Sequence, residues 1–185
     1  QVFYQFGEGY KFSTDSIELF EFIKNIKAEN FIELGCGDGI ISVLYALEYP
    51  DLSIDSLDIN PVSLQNLKIT VSENRIENIN IINDDLVFYS ISSKKKYDLI
   101  AMNPPYYNCA EGKLNDNNRA LTAKHQVLCS EYDFISAAGR LAAKDSGKFV
   151  FIYPAYKVTD RLLQIIDNAG FSETRIFISS SLICL

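Results

Sequence analysis

The chain has 185 residues, of which 48% are hydrophobic, enough apolar content for one core and a single expected domain over residues 1–185. Its 24 acids outnumber 17 lysines and arginines, giving a net charge of −7; this excludes a generally basic nucleic-acid-binding surface but leaves room for a local patch. No apolar run is long enough to cross a bilayer, so no membrane association is expected.

In chain order, Thr14 or Asp15 can cap a helix running to Lys27, with Ile17, Leu19, Phe20, Phe22, Ile23 and Ile26 on its apolar side. Asn30-Phe-Ile-Glu-Leu-Gly-Cys-Gly-Asp-Gly39 then reads as a short strand at 31–34 and a glycine-rich turn, followed by a helix to Leu47. Gly35, Gly37 and Gly39 alternate through the turn, where glycine permits positive φ and lets backbone N–H groups approach a ligand. The spacing G-x-G-x-G departs from the dinucleotide pattern G-x-G-x-x-G. Glu33, at the strand end, would repel a pyrophosphate and attract an ammonium or sulfonium group. The alternative is an ordinary strand-to-helix turn. Cys36, inside the turn, reads as a small space-filler because no histidine is near it in sequence.

A second strand at 53–58 ends in Asp58, followed by Ile59-Asn60-Pro61 and a helical pattern from Val62 to Asn74. An acid at that strand end, some twenty residues past the glycine turn, is placed to accept both hydroxyls of a ribose; alone it reads equally as a turn former. The strand at 79–83 leads into Asp84-Asp85-Leu86. Asp85 can accept a hydrogen bond from an adenine amine, with Ile59 and Leu86 as apolar walls. The run Lys94-Lys-Lys96 is a candidate for a local basic patch, but reads first as a solvated loop before a buried strand at 97–102.

That strand ends in Asn103-Pro104-Pro105-Tyr106. Two prolines stop the strand and remove two N–H donors. What remains suits gripping a planar group bearing an NH2: the Asn103 side-chain oxygen and the Pro104 carbonyl accept its hydrogens, and Tyr106 stacks on its ring, with Tyr107 as a possible helper. The alternative is a Pro-rich turn with a surface tyrosine. The polar stretch 107–116 reads either as a loop that orders over substrate or as a plain connection. Beyond it, a helix from Glu131 to about Lys144, a strand at 148–153, a helix from Lys157 to Asn168 and a strand at 174–178 continue the alternation, and 182–185 is read as the last strand of a hairpin with 174–178. That order predicts a mostly parallel α/β sheet with helices on both faces.

Together these residues resemble the class I S-adenosylmethionine-dependent methyltransferases of the NPPY type. Glu33-Leu-Gly-Cys-Gly-Asp-Gly39 is similar to their first cofactor motif, Asp58 to their ribose acid, Asp85 to their adenine contact, and Asn103-Pro104-Pro105-Tyr106 to the catalytic motif of those that methylate exocyclic or amide nitrogens. Gly9-Tyr-Lys-Phe-Ser-Thr-Asp-Ser16 resembles the opening of the bacterial N6-adenine methyltransferases acting on position 37 of valine tRNA, where such a run covers the cofactor site. The resemblance implies a Rossmann-like, seven-stranded, mostly parallel sheet closed by a C-terminal antiparallel hairpin. It also implies S-adenosyl-L-methionine as cofactor, bound by Thr14, Asp15, Glu33, Gly35, Cys36, Gly37, Gly39, Asp58, Ile59, Asp85, Leu86 and Asn103.

Lys11, Tyr107, Arg119, Lys124 and His125 are the residues expected to meet RNA; Gln126 stands where the family more often has an acid. The expected acceptor is adenine N6 in RNA, tRNA first. A protein glutamine amide, another nucleic-acid amine (DNA adenine or ribosomal guanine) and a non-catalytic cofactor-binding module stay open. The four cysteines, Cys36, Cys109, Cys129 and Cys184, are scattered without zinc spacing, so reduced thiols, no metal and a cytoplasmic monomer are expected. The opening Gln1-Val-Phe-Tyr4 lacks the pattern of a secretory signal, and with no initial Met the natural chain is expected to start earlier.

Overall fold

A computed structural model describes Phe3 and residues 14–104, 129–178 and 182–184. Five strands, β1 (Asn30–Leu34), β2 (Ser53–Asp58), β3 (Ile79–Asn83), β4 (Leu99–Met102) and β5 (Lys148–Pro154), lie parallel in the order 3-2-1-4-5. Beyond β5 the chain returns: β7 (Leu182–Cys184) pairs antiparallel with β5, and β6 (Phe177–Ile178) pairs antiparallel with β7. The strand expected over 174–178 is confined to two residues, and 179–181 lie outside the described residues.

Helices cover both faces. α1 (Thr14–Ile23), α2 (Ile40–Glu48) and α3 (Pro61–Glu73) enclose a core around Phe31, Ile54, Leu67, Leu99 and Ile152. α4 (Leu86–Ser92), α5 (Glu131–Leu141) and α6 (Asp160–Asn168) enclose a second around Ile32, Leu34, Leu57, Ile100 and Phe151. Successive β1 residues thus feed opposite layers, and the central β4, Leu-Ile-Ala-Met, is a continuous apolar run because a parallel sheet is buried on both sides there, whereas β2 and the edge strand β3 carry polar residues.

Local chemistry sets the boundaries. α1 stops four residues short of the expected Lys27, because the Tyr49 hydroxyl donates to the Lys24 carbonyl at 2.7 Å and the Tyr45 hydroxyl donates to the Ile26 carbonyl, turning the chain toward β1. Asn60 caps α3 by accepting from Val62 N–H, with Pro61 at its first position. Ser130 and Asp133 form a reciprocal capping box on α5. β4 begins at Leu99, not at residue 97: Tyr97 instead exchanges hydrogen bonds with the end of α5, donating to the Leu141 carbonyl and accepting from Ala143 N–H. α6 begins at Asp160, capped by Thr159, after a 3-10 turn over Ala155–Lys157. The sequence reading did not expect α4, a helix of seven residues rich in aromatic and β-branched side chains.

The strand order reverses direction between β1 and β4, and in such sheets ligands bind in the crevice beyond the carboxyl ends of the strands at that point. The register brings the critical ends level. Leu34 pairs with both Leu57 and Met102, so Gly35, Asp58 and Asn103 each follow directly on a paired residue.

Candidate functional site

The glycine turn follows β1 with Gly35, Gly37 and Gly39 at φ of 64°, 54° and 77°. At Gly37 an added Cβ would meet nothing within 4 Å, so the turn faces open space there; at Gly39 it would fall 2.4 Å from Leu67 Cδ1. One glycine is therefore kept by packing, the other by its left-handed backbone and the open surface beside it.

Asp58 ties the turn to β2. Its Oδ2 accepts from Gly37 N–H and its Oδ1 from Asn60 N–H, each at 2.7 Å. Burial pushes its carboxyl above the ordinary range, against the downward pull of these two donors. Each carboxylate oxygen has two lone pairs, so one bond to each leaves acceptor capacity for a diol. Beside it, Ile59 is 45% exposed and forms an open apolar wall, whereas Leu86 packs partly against the second core. Asp85 caps α4, with Oδ1 accepting from Phe88 N–H at 2.9 Å.

The sequence reading aimed Glu33 at a cationic ligand; the structure aims it inward, and that expectation is corrected. Glu33 is 2% exposed, and its Oε2 accepts from the Ser42 N–H at 2.8 Å and from the Ser42 hydroxyl. Ser56 donates in turn to Ser42 Oγ at 2.7 Å. Burial pushes the Glu33 carboxyl up to about 8, outweighing the Ser42 hydrogen bonds. The physical reason is that Gly39 caps α2 without a side-chain acceptor, so an orphan N–H of the first turn takes Glu33 instead. Cys36 is buried, and burial raises its thiol well above the ordinary range, which keeps it protonated. Asp38, 8% exposed, accepts from Asn66 Nδ2 at 3.1 Å and anchors the turn on α3.

Across the switch point, Asn103 and the buried Pro104 end β4. Asn103 Nδ2 donates to Ser16 Oγ at 3.0 Å. Ser16 is 6% exposed and lies in the first turn of α1, directly after Thr14 and Asp15. The motif pattern gave Ser16 no role; only the tertiary contact reveals one. Pro105, Tyr106, Tyr107, Lys11, Arg119, Lys124 and His125 lie outside the described residues.

Lys95 of the lysine run is not merely solvated: it donates to Asp55 Oδ2 at 2.8 Å, where Asp55 is 1% exposed and also accepts from Tyr97 and Asn80. Lys96 donates to the Arg140 carbonyl. A different group stands at the site edge. Tyr156, 80% exposed, precedes Lys157 and Arg161 just past β5, the neighbour of β4. An aromatic residue followed closely by two basic ones was the sequence signal for it. A depression of about 510 Å³ lined by Lys27, Glu48, Tyr49 and Asp51 lies at the opposite edge, where β1 and β2 begin, away from the glycine turn and Asn103.

Among the described residues no helix is long and apolar enough to cross a membrane. The architecture is the Rossmann-like methyltransferase fold. It superposes on ribosomal protein L11 methylase from Lactobacillus delbrueckii subsp. bulgaricus over 95% of this chain and 78% of that one, with a TM-score of 0.67 and 16% identity, a likeness of fold alone. In sequence, the chain is 27% identical over 151 residues to the tRNA1(Val) (adenine(37)-N6)-methyltransferase of Flavobacteriaceae bacterium (strain 3519-10), covering 81% of this chain and 62% of that one. It is 33% identical over 153 residues to the release factor glutamine methyltransferase of Fusobacterium nucleatum subsp. nucleatum, covering 78% of this chain and 43% of that one. The chain thus spans less than two thirds of the length of either relative. The sequence profile of the methyltransferase small domain matches residues 11–140, and the chain belongs to that family.

Proposed function

We propose that this protein transfers a methyl group to the N6 amine of an adenine in RNA, with tRNA as the substrate. The methyl donor is S-adenosyl-L-methionine. The observation that carries the reading is Asn103-Pro104 at the end of β4, level with the glycine turn and Asp58 across the switch point. A site for an amine acceptor and a site for a nucleoside cofactor thereby share one crevice.

The residues fit the cofactor. Gly37 leaves space against the backbone, Asp58 retains lone pairs for ribose hydroxyls, and Ile59 with Asp85 and Leu86 suits an adenine. Thr14 and Asp15 at the start of α1 complete the proposed set. When bound, S-adenosylmethionine supplies an activated methyl group on a sulfonium. The chain's own contribution is orientation. The Asn103 amide oxygen and Pro104 carbonyl accept the two hydrogens of the acceptor amine, which draws its lone pair out of ring conjugation. Held by Gly37, Asp58, Ile59, Asp85 and Leu86, the sulfonium would supply the methyl group and keep the bonding pair on sulfur, and the surplus proton would leave the acceptor nitrogen for water. The adenine must leave its stack to enter, and Tyr106 is the residue proposed to replace that stacking. Tyr156 with Lys157 and Arg161 supports an approach of the nucleic acid along the β5 side despite the acidic total charge.

A second reading, transfer to a protein glutamine amide, is favoured by the 33% identity to the release factor glutamine methyltransferase and by the net charge of −7. Labelled S-adenosylmethionine offered with total tRNA from a strain lacking this protein separates the two. N6-methyladenosine in the digested tRNA supports the first reading; label on protein with none on tRNA replaces it with the second. Asn103→Ala should abolish transfer and leave cofactor affinity near normal, and a parallel loss of both would sink the catalytic role of Asn103.

A further inference from the structure

We propose that Ser16 is the positioning residue of the catalytic amide: its hydroxyl holds Asn103 by Nδ2 and so turns the amide oxygen toward the acceptor amine. The inference rests on the reading of Asn103 as the group that meets that amine.

The two ends of a primary amide have nearly the same shape and opposite chemistry. A half-turn about the last side-chain torsion replaces the acceptor oxygen with an NH2, and an NH2 facing an amine offers donor against donor. The barrier to that flip is low, since terminal sp³–sp² torsions are broad. Something outside the side chain must therefore choose the orientation. The residue after Asn103 is no help, because Pro104 has no N–H to bond a side-chain oxygen. Ser16 meets the donor end: at 3.0 Å its hydroxyl oxygen accepts from Asn103 Nδ2, and in that orientation the amide oxygen lies on the side away from Ser16.

The contact sits on a firm base. Ser16 is 6% exposed, which limits competition from water. Three residues of the same helix, Leu19, Phe20 and Ile23, are buried in the first core, and α1 packs on α2 and β5. Serine is short, so its oxygen cannot wander far from the helix that carries it. The partners are 87 residues apart in sequence, so the bond reports the docking of α1 on the end of β4 and not a local turn. The same turn of helix begins with Thr14 and Asp15, the proposed cofactor contacts. One turn of α1 thus carries both the proposed cofactor contacts and the contact to the amide.

The test uses Ser16→Ala, Ser16→Cys (the same shape with a weak acceptor) and Ser16→Thr, which keeps the hydroxyl. The expected result is a fall in kcat of about three- to tenfold for Ala and Cys, the scale of one lost neutral hydrogen bond. Calorimetric affinity for S-adenosylhomocysteine should stay within about twofold on the same scale, and Ser16→Thr should restore most of the rate. Independently of turnover, the Asn103 side-chain amide N–H signals, assigned by their loss in Asn103→Asp, should shift and exchange faster with water in Ser16→Ala. Unchanged kcat in an active protein, or unchanged amide signals, overturns the role of Ser16. A wild-type protein that methylates neither tRNA nor protein overturns the underlying reading instead, while the amide signals still report whether Ser16 holds Asn103.

Discussion

Asp58 Oδ2 accepts the Gly37 N–H at 2.7 Å, so the acid at the end of β2 holds the glycine turn at the end of β1. One carboxylate thereby has two tasks, shaping the turn and offering its remaining lone pairs to a ribose. Asp58→Ala should weaken S-adenosylhomocysteine binding by about 10- to 100-fold, the loss expected for hydrogen bonds to a charged group of about 1.5–3 kcal/mol. Asp58→Asn should rescue little, because one end of an amide would set donors against the Gly37 or Asn60 N–H. Calorimetry decides: unchanged affinity in Asp58→Ala would remove the ribose assignment, leaving only the structural tie.

Two glycines of the same turn should answer differently to alanine. At Gly39 a Cβ meets Leu67 Cδ1 at 2.4 Å and φ is 77°, so Gly39→Ala should lower the melting temperature sharply. At Gly37 a Cβ meets nothing within 4 Å, and only the left-handed backbone opposes it, at about 1–2 kcal/mol. Gly37→Ala should then fold with a modest loss of stability and bind S-adenosylhomocysteine poorly, since the added methyl fills the space proposed for the ligand. Thermal melts paired with calorimetry check both; full cofactor affinity in Gly37→Ala would show that the turn is not approached there.

The difference between these glycines also shows what the sequence could tell. The G-x-G-x-G spacing announced a turn with positive φ, and all three residues adopt it, because that requirement is local to the backbone. Strands 53–58 and 79–83 were legible to the residue, since β-branched isoleucines mark each and an acid or amide, Asp58 or Asn83, ends it. Asp58 was legible as a strand-end acid for the same reason. What escaped depends on tertiary partners, nine residues away for Glu33 and 87 for Ser16. Nothing near Glu33 signals that Ser42 will satisfy it, and nothing near Ser16 signals Asn103. α4 escaped for a different reason: Leu86–Ser92 is too short for helical periodicity to declare itself, and only Asp85 marks its start.

Glu33 makes stability fall with rising pH. Its folded pKa is raised from 4.5 to about 8 by burial, so the folded chain keeps a proton that the unfolded chain loses. Below 4.5 both states hold it and no difference arises; between 4.5 and about 8 the unfolded state is favoured more at each step; above that the loss is complete. Asp58, also raised by burial, acts in the same direction from its lower starting value. Denaturant titrations of the ligand-free protein across this range should therefore show stability declining. Glu33→Gln should flatten much of the slope, because the amide stays neutral at every pH and its oxygen can still accept from Ser42. A slope identical in wild type and Glu33→Gln would mean that Glu33 is ionised in the folded chain, stabilised there by the Ser42 donors more strongly than burial opposes it.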